Sequence, residues 1–378
     1  MTDSGISSAS KAKRFLWDLS GAFGDIGVLF PIAVALIAKN HFNPTALFLM
    51  AGIFYVASAW YFRITMPVQP LKVMAAIAIA TGLGHEVISA AGIIMGIVLI
   101  FVAVTGLSVR LGRIFPVSVI RGIQLGLGAM LVKASFGLMR PDIVVAIFSA
   151  SILLVTLTVL KKIPPLIPLL ALGIVLSIKG ATLSSFGPVA LTPVIPDLNT
   201  LGTGFMILVL PQIALTFGNA VVATSETGRL LYGDGAQRLT LRSIPMSMGI
   251  ANIASGIAGG VPMCHGCGGL TAHCKFGASS ERSGYIIGFV LIILALMFGH
   301  SALTVVSAFP SGILGVLLCY VGIQHSLFMK DIVADKKAVL VALSVAVAGF
   351  LANNLTIGFI VGLGIHYSVM AIKHAVRV

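Results

Sequence analysis

The sequence predicts an all-α polytopic membrane protein with about 14 transmembrane segments, each needing about 20 mainly apolar residues. Apolar residues make up 58% of the 378 residues and charged residues only 9%, whereas about a quarter of the residues in a soluble domain are charged. Uncharged runs recur along the chain, among them residues 93–104, 143–160 and 285–298. Most Lys and Arg residues lie between such runs, as expected for loops that alternate with spans.

The formal charge of +13 would suggest nucleic-acid binding in a soluble protein. Here the cations are scattered, and basic patches interleaved with aromatic residues are absent, so we expect no nucleic-acid partner. Lys and Arg accumulate in cytoplasmic loops, which predicts a cell-membrane protein, surrounded by the lipid bilayer, with both termini cytoplasmic. The phosphate-binding pattern GxxxxGK[ST] is missing, which argues against transport driven by ATP binding to this chain.

The spans divide the chain into two halves of seven. Residues 1–16 are predicted to form a cytoplasmic tail, and residues 17–180 the first half. Residues 181–200 contain prolines but no basic residue, which favours an extracellular linker. Residues 201–378 form the second half and leave no room for a C-terminal regulatory domain.

Two motifs recur in both halves at nearly equal spacing. GAFGD at 21–25 matches LTFGN at 215–219, and MPVQP at 66–70 matches VPMCH at 261–265. The offset between the copies is about 195 residues, as between Pro67 and Pro262. Because each copy has an odd number of spans, the second would insert upside down, and such inverted repeats recur in secondary transporters.

The second motif predicts a broken helix in each copy. Pro67 and Pro70 cannot lie inside a continuous helix, so a half-helix should begin near Pro70 or Leu71. Pro262 and the surrounding glycines should likewise break the chain before Leu270. Irregular backbone at membrane depth must be buried in protein or line a cavity. The amide groups at two such helix starts would favour an anion.

Several polar residues accompany these breaks. Lys72 lies in the first turn of the predicted half-helix and needs a compensating anion or Asp25, unless it extends to the membrane interface. Asp25 could pair with Lys72, exchange a proton, or lock helices structurally. Thr216 and Asn219 occupy matching places in the second copy and could donate hydrogen bonds to an oxyanion.

The sequence CHGC at 264–267, followed by His273 and Cys274, has a spacing near that of a metal site. The glycines already have a structural explanation, so we predict neither a metal nor another cofactor. His265 could instead contact an anion or exchange a proton. The predicted cargo site comprises Asp25, Gln69, Pro70, Leu71, Lys72, Thr216, Asn219, Cys264, His265, Gly266 and Gly268.

Four stretches resemble the molybdate transporter family, a branch of the SulP (sulfate permease) superfamily: DLSGAFGDIG at 18–27, MPVQPLK at 66–72, LPQ at 210–212 with GNAVVAT at 218–224, and VPMCHGCGG at 261–269. The resemblance implies a seven-plus-seven inverted repeat without the C-terminal STAS domain of other SulP proteins. Spans 1–4 and 8–11 would form a core domain, and spans 5–7 and 12–14 a gate domain. Cargo would lie between the third and tenth segments, with the first and eighth helices completing the site.

We therefore expect a proton-coupled carrier of molybdate and/or sulfate that moves its core against its gate. An anion channel of the same fold stays open, as does a homodimer. A nucleobase carrier is disfavoured because such carriers place carboxylates on helices eight and ten, where this chain has Asn219 and no acid before Glu281. No nucleophile and base pair in the membrane segments suggests an enzyme.

Overall fold

The computed structural model describes residues 15–19, 21–24, 26–108, 110, 116–159, 167–180, 186–278 and 280–375. Asp25 and most of the predicted N-terminal tail lie outside these residues. The main helices of the first half are α1 Ile26–Asn40, α2 Pro44–Phe62, α3 Lys72–Thr81, α4 His85–Thr105, α5 Val117–Met139, α6 Ile143–Thr158 and α7 Ile167–Gly180. Those of the second half are α8 Leu198–Ala236, α9 Ser243–Ile257, α10 Cys267–Lys275, α11 Arg282–Ser307, α12 Ser311–Ser326, α13 Lys336–Leu351 and α14 Leu355–Ala375. Two short strands, β1 Gln69–Pro70 and β2 Met263–Cys264, precede α3 and α10.

Within the described residues, six helical stretches are long and apolar enough to cross a membrane. They are Pro44–Phe62, His85–Thr105, Val117–Thr158, Leu198–Ala236, Arg282–Ala302 and Ser311–Ile332. Helices α3 and α10 have only 10 and 9 residues, so each extends about 15 Å, half of a bilayer's hydrocarbon core of about 30 Å. The all-α membrane fold and the two half-helices are thus confirmed.

The helix pairing has the symmetry of a duplicated chain. Helix α2 packs along α11, and α4 packs along α9. In a repeat of seven helices, α2 corresponds to α9 and α4 corresponds to α11. Exchanging each helix for its counterpart therefore converts the first pair into the second. Helix α5 packs along α12, and this pair converts into itself. An inverted repeat of seven helices produces this pattern.

Glycines lie at the crossings of these symmetric pairs. A Cβ added to Gly52 would lie 2.7 Å from the carbonyl oxygen of Gly288, and one added to Gly96 would lie 2.7 Å from that of Gly249. Approaches this close leave no space for a side chain. Gly52 and Gly249 are 197 positions apart, and Gly96 and Gly288 are 192 apart, close to the offset read from the motifs. The repeat therefore extends beyond the motifs that revealed it.

The gate helices share a crossing of the same kind. A Cβ on Gly128 of α5 would lie 2.5 Å from the Gly322 oxygen of α12, and the reverse distance is 2.8 Å. Helices α5 and α12 also pack against α13 and α6, respectively, and α13 packs against α14. These contacts separate α5, α6 and α12–α14 from the α2–α11 and α4–α9 pairs, as a gate and a core require.

We expect Gly249→Ala to lower the thermal unfolding midpoint in detergent. The new methyl group would lie 2.9 Å from the Gly96 oxygen and 2.6 Å from Ile100 Cγ1, and overpacking of this kind costs about 1–3 kcal/mol. Gly137→Ala is the matched control, because a Cβ there meets nothing within 4 Å. Equal midpoints for the two variants would contradict the close crossing.

Candidate functional site

The two chain breaks meet as a small antiparallel sheet. Gln69 in β1 lies opposite Cys264 in β2, and these residues are 195 positions apart, so equivalent places in the two copies face each other. The amide of Leu71 donates to the carbonyl oxygen of Pro262 at 2.8 Å. Backbone N–H and C=O groups at membrane depth need hydrogen-bond partners within the protein. This pairing supplies partners to extended backbone that is not part of a helix.

Both half-helices begin at this junction. Helix α3 begins at Lys72 after Leu71, whose backbone is extended, as predicted. Helix α10 begins at Cys267 after extended Gly266. The second break lies before Leu270, as predicted, but Gly268 and its neighbour Gly269 lie inside α10 rather than in the break. Neither Leu71 nor Gly266 supplies a side-chain cap.

A side chain from α8 caps α3 instead. The Oε1 atom of Gln212 accepts from the amides of Val73 at 3.0 Å and Met74 at 3.2 Å. Its Nε2 donates to the Thr216 hydroxyl oxygen at 2.9 Å. Both Gln212 and Thr216 are buried. The first amides of α3 are thus already satisfied by protein, and Thr216 supports that cap. Sequence reasoning missed Gln212, whose signal was its place beside the mid-helix Pro211.

Helix α8 contacts both half-helices, and two of its stretches depart from regular α-helical geometry. Residues Gly204–Val209 and Thr216–Ala223 are π-helical, a widened geometry that is frequent at functional sites. Thr216 is linked to α3 indirectly, because it accepts a hydrogen bond from Gln212, which caps that helix. Three residues later, the Oδ1 atom of Asn219 accepts a hydrogen bond from the Cys267 thiol of α10 at 2.9 Å.

The start of α10 is open and positively charged. Gly268 is exposed, and a Cβ there would meet nothing within 4 Å. Lys72 Nζ lies 3.7 Å from the place of a Cβ on Gly266, and Arg121 lies in the wider vicinity of Cys267. The first amides of a helix have no acceptor within it. We call this region the α10 cleft; its residues are Lys72, Arg121, Asn219, Cys267 and Gly268.

Arg121 projects from the gate helix α5, and the partners described for it also belong to the gate. Its NH2 group lies 2.5 Å from the carboxylate of Asp331, and its NH1 group lies 3.0 Å from the Gln124 oxygen. Its guanidinium also lies 5.5 Å from the ring centre of Phe328. This is the one ion pair among the described residues, so Lys72 pairs with none of the carboxylates described. The predicted pairing of Lys72 with Asp25 lies outside the described residues. Arg121 was not predicted from the sequence.

On its other side Lys72 borders a small cavity between core and gate. The cavity is also lined by Pro31 and Ala76 from the core and by Val321 and His325 from α12. Its volume of about 10 Å³ has room for about one water molecule. An oxyanion does not fit there, so core and gate are closed against each other along this contact.

His265 lies beneath the junction rather than in the cleft. Its Nδ1 lies 2.8 Å from the carbonyl oxygen of Pro67 and must carry the proton of that hydrogen bond. Its Nε2 lies 3.1 Å from the Ser247 hydroxyl, and its ring packs against Phe54 and Phe62. With both nitrogens occupied and no exposed surface, His265 joins the two breaks together.

Other predicted residues share this supporting position. Gln69, Leu71 and Cys264 are at most 4% exposed, and Pro70 is also buried. Of the remaining predicted residues, Lys72, Asn219, Gly266 and Gly268 lie at or beside the α10 cleft.

Two further polar side chains, missed in the sequence, hold β2 in place. Asn252 of α9 exchanges two hydrogen bonds with the Met263 backbone, at 2.6 Å and 3.0 Å. Thr224 of α8 donates to the His265 carbonyl oxygen at 2.8 Å.

The cysteines and histidines of this region each have separate partners. Cys274 donates to Tyr232 at 3.1 Å, and His273 Nδ1 lies 2.7 Å from the Gly21 oxygen. Among the described residues, no three His, Cys, Asp or Glu side chains come close enough to hold a metal ion. Within the CHGC segment, Gly266 precedes the first residue of α10, and Cys267 contacts Asn219 of α8.

The fold and the sequence both have known relatives. The transmembrane domain of a cyanobacterium bicarbonate transporter, BicA, matches with a TM-score of 0.68 and 18% identity, covering 93% of this chain and 97% of that one. Murine Solute Carrier 26 family member A9, an anion transporter in the inward-facing state, matches with a TM-score of 0.67 and 14% identity, covering 98% of this chain and 74% of that one. The two half-helices, the junction between them and the paired helices thus define a multi-pass membrane protein with the fold of these two proteins.

The family follows from the sequence. The profile described as "Molybdate transporter of MFS superfamily" matches residues 18–131 and 204–324, and the chain belongs to this molybdate transporter family. Molybdate transporter 2 of Arabidopsis thaliana is 28% identical over 398 residues, which cover 90% of this chain and 84% of that protein. The description names the MFS superfamily, whereas the fold is that of the SulP-type structures above. Because its relatives are named transporters, the chain is a transporter and not an enzyme.

We expect Gln212→Met to destabilise the start of α3. The substitution keeps the size of the side chain but leaves the amides of Val73 and Met74 without their acceptor, a loss of about 1–2 kcal/mol. Hydrogen exchange at the start of α3, measured by mass spectrometry, should become faster. Gln237→Met, at an exposed loop position, is the control; identical exchange in both variants would show that Gln212 is not the cap.

Proposed function

We propose that this chain transports molybdate, and sulfate as a related tetrahedral oxyanion, and that the anion binds in the α10 cleft. The observation that carries the proposal is the exposed helix start at Gly268, with the ammonium group of Lys72 beside Gly266 and Arg121 in the wider vicinity on the gate helix α5. Helix starts with free amides are anion sites. The cargo itself comes from family membership and from relatives named molybdate transporters.

The cleft offers both kinds of group that a desolvated oxyanion needs. Amides of Cys267 and Gly268 and the side-chain amide of Asn219 supply neutral donors. Because Asn219 Oδ1 accepts from Cys267, its NH₂ group is the part left to donate. Lys72 and Arg121 offset the charge of a dianion, which is costly to bury unpaired. The buried residues from Gln69 to Leu71, together with Cys264 and His265, position the helix starts.

Transport requires the cleft to open to each side of the membrane in turn. Lys72 and Asn219 belong to the core, and Arg121 belongs to the gate, so a rigid movement of one domain changes the distance between the cations. We assign residues 17–180 and 201–378 to the two inverted copies, with both chain ends on the cytoplasmic side of the cell membrane. Protons are the proposed coupling ion, with Asp25 as the exchanging carboxyl group.

We expect Lys72→Gln to lower molybdate uptake into proteoliposomes about tenfold or more. A hydrogen bond to a charged group contributes about 1.5–3 kcal/mol, and 1.4 kcal/mol corresponds to a factor of ten. Asn219→Ala should weaken uptake by a smaller factor. Lys330→Gln removes an exposed lysine outside the cleft and should leave uptake unchanged. Wild-type molybdate and sulfate uptake in both cleft variants would remove the α10 cleft as the site.

We expect an inward proton gradient to accelerate uptake in the wild type and to have no effect in Asp25→Asn. Exchange of internal for external molybdate needs no proton gradient and should persist in this variant. Gradient-independent uptake in the wild type would rule out proton coupling. A non-saturating conductance carried by the anion would identify a channel instead of a carrier. An excess of uracil should not compete.

A further inference from the structure

An apolar groove runs along the outer surface of the core between α2 and α9. Its volume is about 340 Å³. The exposed fractions of Ile53, Trp60 and Ile250 are 44%, 62% and 58%, so the groove opens toward the hydrocarbon of the bilayer. Methionine and alanine side chains from both helices form its walls, and small or flexible residues of this kind leave space for a linear chain.

One end of the groove carries three arginines. Arg238 donates to the Tyr61 carbonyl oxygen at 2.7 Å, and its guanidinium lies 6.0 Å from the centre of the Tyr61 ring. Tyr61 and Trp60 both line the groove, as aromatic residues do at the level of lipid headgroups. Arg63 directly follows α2, and Arg242 directly precedes α9; both are exposed. A guanidinium has five N–H donors, so Arg238 keeps donors for a further acceptor.

The floor of the groove is the support of the chain-break junction. Ser247 lines the groove and contacts His265 Nε2 at 3.1 Å. Phe54 lines it and packs on the His265 ring, with ring centres 4.7 Å apart. Met263, which also lines it, belongs to β2. A molecule in the groove therefore touches three of the residues that hold the two breaks together.

We propose that this groove is a binding site for an anionic phospholipid. One acyl chain lies between α2 and α9, and the phosphate-containing headgroup lies against Arg238, with Arg63 and Arg242 nearby. An apolar channel open to the bilayer and ending in cations at the aromatic level matches the chemistry of such a lipid. A zwitterionic lipid could fill the groove equally well, but it carries no net charge for the arginines to select.

Quenching of Trp60 fluorescence by brominated lipids tests this site directly. Trp60 is one of two tryptophans in the chain, so Trp17→Phe leaves it as the sole reporter. The protein is reconstituted with mixtures of brominated phosphatidylglycerol and plain phosphatidylcholine, and with the reverse labelling. We expect the relative binding constant to favour phosphatidylglycerol about fivefold, since one arginine near an anionic lipid contributes about 1 kcal/mol. A constant near one would overturn the proposal.

Two variants locate the selectivity. Arg238→Gln should reduce the preference toward one, whereas Arg140→Gln, an exposed arginine between α5 and α6, should retain it. Ala254→Phe fills the groove and should weaken quenching by both brominated lipids. Undiminished preference in Arg238→Gln would show that the headgroup does not bind there, whether or not Ala254→Phe folds. Because the readout is lipid binding, its outcome is separate from that of the molybdate uptake assays.

Discussion

The structure depends on one constraint: two helices are broken at membrane depth, and each exposed backbone group needs a partner there. The two breaks satisfy each other through the β1–β2 pairing and the Leu71 to Pro262 hydrogen bond. Side chains from neighbouring helices complete the junction, chiefly Asn252 on β2 and His265 on the Pro67 carbonyl. The half-helices can therefore end at the centre of the protein without unsatisfied amides facing lipid.

The two copies use this junction differently, and the difference produces the cleft. Gln212 occupies the first amides of α3. Its counterpart 194 positions earlier is Asp18, which is buried and accepts hydrogen bonds from Ser280 and Ser283 at the start of α11. Among the described residues, no side chain is seen to cap the start of α10 as Gln212 caps α3, and its Gly268 is exposed. In the proposed site, a symmetric fold thus presents one open helix start to the anion, while the other is occupied by Gln212.

The sequence predicted the features that depend on local chemistry. The closely spaced prolines at 67 and 70, and Pro262 among its glycines, predicted the two helix breaks, and equal spacing revealed the duplication. It did not predict Gln212 as the cap of α3, because Gln212 is 139 positions from Val73 and an amide side chain within an apolar helix has no distinctive spacing. It placed His265 among the cargo ligands. In the fold, Phe54 packs on the imidazole and Ser247 contacts its Nε2, and His265 is fully buried. Arg121 was missed for a similar reason: its proximity to α10 follows from how the gate packs on the core.

In the proposed cleft, cargo binding and domain movement share the same groups. Lys72 belongs to the core and Arg121 to the gate, so a dianion between them attracts both domains. Without it, Arg121 keeps Asp331 as its partner. A ligand shifts a conformational equilibrium only through its different affinity for the two states. A pocket with one cation on each side of the sliding surface supplies that difference, whereas a pocket built within one domain would bind cargo equally well in both.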